Sequence, residues 1–367
     1  MKLFRIALLL LLGLPAGAQP VQLLVGTYTR TPGRAGIFIY RFDPQSLEAT
    51  ATDSAMTVNP SYLAPGADGK YVYAVSEQGG GKGAVRAYRL RKGRLEFINE
   101  VPSGGDAPCY ITVDRKGRNV IAGNYSGGNL ALFATAPDGG LVPFEYIYKH
   151  NGSGPHAARQ EGPHVHSTNL SPDERYLLAA DLGTDRIITY SVSARQHRLA
   201  PTDKLLQLRR GTGPRQLEFH PNGKWVYIVQ ELSGDITACT YDNGMLKPFQ
   251  EISLLPDAGT PASSADIHVS PDGRFVYATN RNPSNHIAIF AIGTDGSLTA
   301  TGHVPTGGKV PRNFIFTPGG ELLLVANQDS DNISIFKVDK GSGGLTDTGK
   351  RIAAPAPVCL KWLPRQR

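Results

Sequence analysis

The stretch "GPRQLEFHPNGKWVYIVQE", Gly213 to Glu231, decides how this chain folds. A short segment of alternating polar and apolar residues runs into a turn at Pro221-Asn222-Gly223, and a β-branched and aromatic run, Trp225 to Val229, follows. Two such runs joined through an Asn-Gly or Asp-Gly turn read as an antiparallel hairpin. The same unit recurs as "NPSYLAPGADGKYVYAVSE" from Asn59, "APCYITVDRKGRNVIAGNY" from Ala107 and "PHVHSTNLSPDERYLLAADL" from Pro163. It returns as "SSADIHVSPDGRFVYATNR" from Ser263 and "VPRNFIFTPGGELLLVANQ" from Val310. Two further strands usually follow, such as "ISIFKV" and "LTDTG" after the last unit, so the repeat holds four strands in about 50 residues.

The chain ends supply one more unit. "APVCLKWL" near the C-terminus reads as a first strand alone, whereas "QLLVGTYT", "GIFIYRF" and "LEATATD" near the N-terminus read as second, third and fourth strands. Joined, they complete a seventh sheet. The expected fold is all-β: a seven-bladed propeller with four antiparallel strands per blade, closed by N- and C-terminal strands sharing one blade. Closure of this kind leaves few exposed sheet edges.

Composition agrees. Among 367 residues there are 42 Gly and 27 Pro, and only 19% are charged, a profile of many short strands and turns. The net charge is +7, yet no Lys/Arg run tracks a phosphate backbone, so nucleic-acid binding is not expected. Residues 1–18, "MKLFRIALLLLLGLPAGA", combine Lys2 and Arg5 with a short apolar stretch and an Ala-Gly-Ala end. They read as a signal peptide cut after Ala18, so residues 19–367 form one exported, monomeric domain, periplasmic or secreted, without a membrane span. Cys109, Cys239 and Cys359 are too few for a disulfide framework and are expected as buried thiols with at most one bridge.

Equivalent positions of a propeller lie on a ring about its axis, so the repeats can be read as columns. Aligned on the turn, one column near the start of the first strand holds Ser61, Cys109, His166, Arg215, Ala265, Arg312 and, by extension, Val358. A second, after the second strand, holds Glu77, Tyr125, Leu182, Glu231, Arg281 and Gln328. Just before it runs a polar ring: Ser76, Asn124, Asp181, Gln230, Asn280 and Asn327. Charged groups at inner strand ends must line a wet pocket or pair with one another, because burying them unpaired is expensive. Glu77, Asn124, Asp181, Asn280, Asn327 and Arg312 are therefore candidate substrate-binding residues.

A neutral imidazole is a suitable general base, and arginine forks bind carboxylate or phosphate and stabilise an oxyanion. Histidine, carboxylate and several arginines suit hydrolysis of an activated ester with an anionic substituent. They also suit reversible addition of a carboxylate to a double bond. The pair His164 and His166 offers a metal alternative, with His156, Glu161 or Glu231 as a third ligand, but arginines would repel the cation. "SEQGGGKGAV" lies between two strands rather than before a helix, so no phosphate-cradling loop and no cofactor is expected. The segment "YKHNGSGPHAARQEG" is unusually long for a loop of this repeat, and such loops are often functional.

From "VGTYT" with "GIFIYRFD" to the closing "PAPVCLKW", the sequence resembles the seven-bladed lactonase family, which includes propeller-type 6-phosphogluconolactonases and carboxy-cis,cis-muconate cyclases. The most specific stretches are "GPHVHSTNLSPD" with "DLGTDRIITY", then "GTGPRQLEFHPNGKWVYIVQEL", and "ATNR" with "VANQDSDNISIF". The resemblance implies a central cleft with His166, Arg215, Glu231 and Arg281, and lactone-ring hydrolysis that needs no metal. It implies that His166 activates water, that Arg215 and Arg281 bind the lactone carbonyl and anionic group, and that Glu231 relays a proton or orients its neighbours. His164 matches a variable flank and is expected in a supporting position. The expected substrate is an acidic or phosphorylated sugar lactone. The alternatives are a non-catalytic propeller binding a small anion or a protein partner, and a muconate-type cycloisomerase.

Overall fold

Each repeat becomes one blade. The computed structural model describes residues 20–29, 33–143 and 146–364 and contains seven four-stranded antiparallel sheets. Six are continuous in sequence, from Leu63–Pro102 to Pro311–Ala353. The seventh joins Pro357–Trp362 to Val21–Thr27, Ala35–Asp43 and Glu48–Met56, with Leu23 opposite Trp362 and Val25 opposite Leu360. The segment read as a signal peptide, residues 1–18, lies outside the described residues. No helix among them is long and apolar enough to cross a membrane.

Burial explains why the strands differ in sequence. Second strands such as Leu322–Asn327 are buried along their whole length, so they read as unbroken apolar runs rather than alternating ones. Fourth strands such as Glu48–Met56 form the outer wall and are mostly exposed. The core sits between blades. Tyr227, Val229 and Ile236 of one blade pack against Ile267, Ala278 and Phe290 of the next. Leu23, Val25 and Phe42 pack against Leu324 and Ile333 across the closing seam.

A second device ties neighbouring blades. The aromatic residue that opens a second strand lies over the glycine of the next blade's outer turn. A Cβ on Gly296 would sit 2.5 Å from the Trp225 ring, and that on Gly343 2.5 Å from Phe275. Two residues along the strand, a tyrosine hydroxyl donates to the same glycine's carbonyl: Tyr227 to Gly296 at 2.9 Å and Tyr277 to Gly343 at 2.7 Å. Cys109, Cys239 and Cys359 are buried on three different blades and unpaired.

Candidate active site

The first column lies at a backbone irregularity. Pairing between the first and second strands jumps over Cys109, His166, Arg215 and Arg312, which have no partner in the register. These are β-bulges, which free a residue from the ladder and re-aim its side chain. Cys109, His166, Arg215, Arg312, Ser61 and Val358 consequently line one narrow space on the axis. Because the bulged residue is outside the ladder, its identity can vary from Val to Arg without disturbing the sheet.

The second column closes over the first. Glu231, 3% exposed, is the centre. Its Oε2 lies 2.9 Å from Arg215 Nε, an ion pair too bent to count as a hydrogen bond, 3.1 Å from Arg281 Nη2 and 3.9 Å from His166 Nε2. Its Oε1 accepts from Arg159 Nη2. Arg215 also donates to the Ala265 carbonyl, and Arg281 to those of Ser263 and Ser264 at 3.0 and 3.3 Å. Across the ring, Arg312 donates to the Tyr28 hydroxyl at 3.0 Å, which donates to Glu77 at 2.9 Å.

Burial would raise the pKa of Glu231, but the charges of Arg281, Arg215 and Arg159 outweigh it and hold the carboxyl well below its ordinary value. The group is a carboxylate at neutral pH. Burial also holds His166 well below 6.5, reinforced by Arg215 and Arg312 against the pull of Glu231, so its imidazole is neutral. Burial lowers Arg281 to about 10, which leaves it charged at neutral pH. Burial raises the Cys109 pKa, and its thiol sits 3.6 Å from the backbone carbonyls of Val165 and His166. A neutral base, a fixed carboxylate and enclosed cations are arranged for proton transfer beside a developing negative charge.

His166, Arg215, Glu231 and Arg281 thus meet in one cluster, with Arg312 and Glu77 beside it through Tyr28. The polar ring does not meet there. Asn124 bonds Ser103 and Asn129, Asn280 bonds Pro261, Ser263 and Ser284, and Asn327 bonds Asn332 and Ser334. Asp181 accepts from the backbone of His164, Gly183 and Thr184 and from His150. All four are 0% exposed and tie down loops. Successive residues of a strand face opposite ways, so a residue next to the cleft column points away from the cleft.

His164 stacks flat on Tyr125, with ring centroids 4.3 Å apart. Its Nδ1 lies 2.9 Å from the Tyr125 carbonyl and its Nε2 3.2 Å from Glu161. His164 precedes the strand Val165–Leu170, and Tyr125 also meets His166, edge-on at 5.5 Å between centroids. Among the described residues no three His, Cys, Asp or Glu side chains gather as metal ligands would.

Two cleft residues are absent from the sequence-derived set. Tyr28 follows the strand Val21–Thr27, the position that Glu77 and Glu231 hold in their own blades. Extending the second column to the closing blade would have found it. Arg159 belongs to no column, because it comes from the long loop between the second and third complete blades; the length of that loop was its signal.

Comparison with known proteins agrees with this architecture. The family described as "Lactonase, 7-bladed beta-propeller" matches residues 22–362. A 6-phosphogluconolactonase of Bacillus subtilis is 35% identical over 352 residues, covering 92% of this chain and 97% of the relative. Another of that name, from Formosa agariphila, is 36% identical over 331 residues, covering 88% and 94%. The solved periplasmic gluconolactonase of Pseudomonas aeruginosa superposes with a TM-score of 0.88 at 34% identity, covering 94% of this chain and 99% of that one. This chain belongs to the seven-bladed β-propeller lactonase family.

Proposed function

We propose that the chain is an exported lactone hydrolase acting on an acidic sugar lactone, 6-phosphogluconolactone being the first candidate. The observation that carries the reading is the neutral His166 held beside Glu231 and two buried arginines on the axis. His166 takes a proton from water, and the resulting hydroxide bonds to the lactone carbonyl carbon. Arg281 and Arg215 stabilise the oxyanion that forms. The ring C–O bond then breaks, and His166 returns the proton to the departing oxygen, giving a hydroxy acid. Glu231 stays ionised and steadies the imidazolium while it exists. The names of relatives from Bacillus, Formosa and Pseudomonas support this substrate class.

A panel of phosphorylated and unphosphorylated aldonolactones tests the reading. The mature protein should accelerate hydrolysis of at least one, and His166→Gln should lower kcat by about 100-fold or more. A protein that binds the acids but opens no lactone would instead be an anion-binding propeller. Export is part of the proposal. Protein recovered from a bacterial host's periplasm should begin at Gln19, read by intact mass.

A further inference from the structure

Resting on the lactonase reading, we infer that Arg159 selects lactones carrying an anion, such as a phosphate, distal to the lactone carbonyl. Three arginines touch Glu231, and they are not equivalent. The side chains of Arg215 and Arg281 are 5% and 13% exposed and held by backbone carbonyls as well as by Glu231. That of Arg159 is 39% exposed, and among the described residues its only other hydrogen bond, 3.1 Å long, is to the Tyr125 hydroxyl. It is the guanidinium of this set that solvent, and hence a ligand's protruding group, can reach.

The backbone beneath it is fixed. Gln160, the next residue, is 0% exposed and donates to the Leu182 carbonyl at 2.8 Å and to Asp185 at 2.7 Å. Asp185 also accepts from Gly213 N at 2.8 Å, and the Gly213 carbonyl accepts from Glu231 N at 2.8 Å. One frame therefore holds both Arg159 and Glu231. Further back, His150 anchors the loop through Asp181 and Tyr190 at 2.8 and 3.0 Å. An arginine on a pinned backbone, its head held on one side by Glu231 and Tyr125 and open to solvent on the other, is preorganised for capture of an anion.

Charge balance points the same way. Among the described residues Arg159, Arg215, Arg281 and Arg312 face Glu231 and Glu77, the third carboxylate of this space, Asp266, is paired with His268, and His166 is neutral, so positive charge is in excess. His166 and Arg159 face the two different oxygens of Glu231. A lactone carbonyl beside His166 thus leaves the far end of the sugar within the reach of Arg159.

The test compares kcat/KM for 6-phosphogluconolactone and unphosphorylated gluconolactone in wild type, Arg159→Gln and Arg159→Lys. The ratio of the two should fall at least tenfold in Arg159→Gln, chiefly through KM for the phosphorylated lactone, and recover in part in Arg159→Lys. An equal loss on both lactones would mean that Arg159 only steadies Glu231 and would overturn the inference. Calorimetric binding of 6-phosphogluconate and gluconate separates this from the lactonase reading. If wild type opens neither lactone, that reading fails. The inference then stands only if Arg159→Gln weakens 6-phosphogluconate at least tenfold more than gluconate, and is overturned if the two weaken alike.

Discussion

Glu231 is the residue on which the cleft turns, because three guanidinium groups converge on one enclosed carboxylate. Glu231→Gln preserves shape but removes the counter-charge, and breaking a buried ion pair from one side costs about 3–5 kcal/mol. Urea unfolding should report a loss of that size together with a fall in kcat of about 100-fold or more. A second residue makes a pH prediction. Burial would lower the pKa of His268, but Asp266 at 3.2 Å and Glu218 at 3.6 Å outweigh it and raise it to about 10. The folded state thus holds this proton more tightly than the unfolded chain, whose histidine titrates near 6.5. The stabilisation is complete below pH 6.5 and disappears as pH rises toward 10. His268→Gln should therefore lower Tm most near pH 6 and flatten its decline between 6.5 and 10; an unchanged slope would refute the assignment. Of the cleft residues, those inside the repeat were legible as columns, since equivalent positions share a ring. Arg159 was not, because a loop outside the repeat has no equivalent to align with. Asn124, Asp181, Asn280 and Asn327 hold loops instead of lining the pocket, because a polar residue in sequence does not declare whether it meets a ligand or a loop.

At the scale of elements, the hairpin pattern marks the first two strands of six blades, and the turn residues fix their boundaries. The bulges were not legible. A bulge is one unpaired residue, and any of Cys109, His166, Arg215 and Arg312 could sit in a regular strand. What reveals it is the register, a property of two strands rather than one. The latch between blades is more readable, since an aromatic residue, one apolar residue and then Tyr recur in "YVY", "WVY" and "FVY" at Tyr71, Trp225 and Phe275. Its partner glycine lies a blade away. Gly296 has φ +87 and no room for a Cβ beneath Trp225. Gly296→Ala should destabilise by at least about 1–2 kcal/mol from the backbone conformation alone. Trp225→Ala should cost about 3–5 kcal/mol. The double variant should lose less than the sum, because removing the ring makes space for the methyl group. Strict additivity would show that the latch is not one unit.

The whole molecule adds one property that no blade has: closure. In six blades the first strand is linked to the second by a turn, whereas in the seventh the link between Pro357–Trp362 and Val21–Thr27 is non-covalent. Its contacts are Leu360 and Cys359, nearly fully buried, with Leu363 N donating to Gln22 O at 3.0 Å, while Trp362 Nε1 donates to Phe316 O of the neighbouring blade at 2.6 Å. Ending the chain at Ala356 removes a strand whose buried side chains are worth about 1.5–3 kcal/mol each, against a total stability of about 5–15 kcal/mol. Such a chain should lose its cooperative thermal transition. It should lose activity as well, since Tyr28 follows the strand left unpaired on its inner side and holds Arg312. The converse isolates closure from composition. Leu363 and Gln22 already meet, so a short turn of the Asp-Gly type can join Pro364 to Pro20. New ends can open between Arg195 and Gln196, both exposed in the turn between Ser193 and Arg198. That permutant keeps every strand and makes the seam covalent. It should fold with a Tm at or above that of the original chain and with unchanged kcat, whereas a Tm many degrees lower would mean that the order of strands along the chain, and not the closed ring, sets the stability.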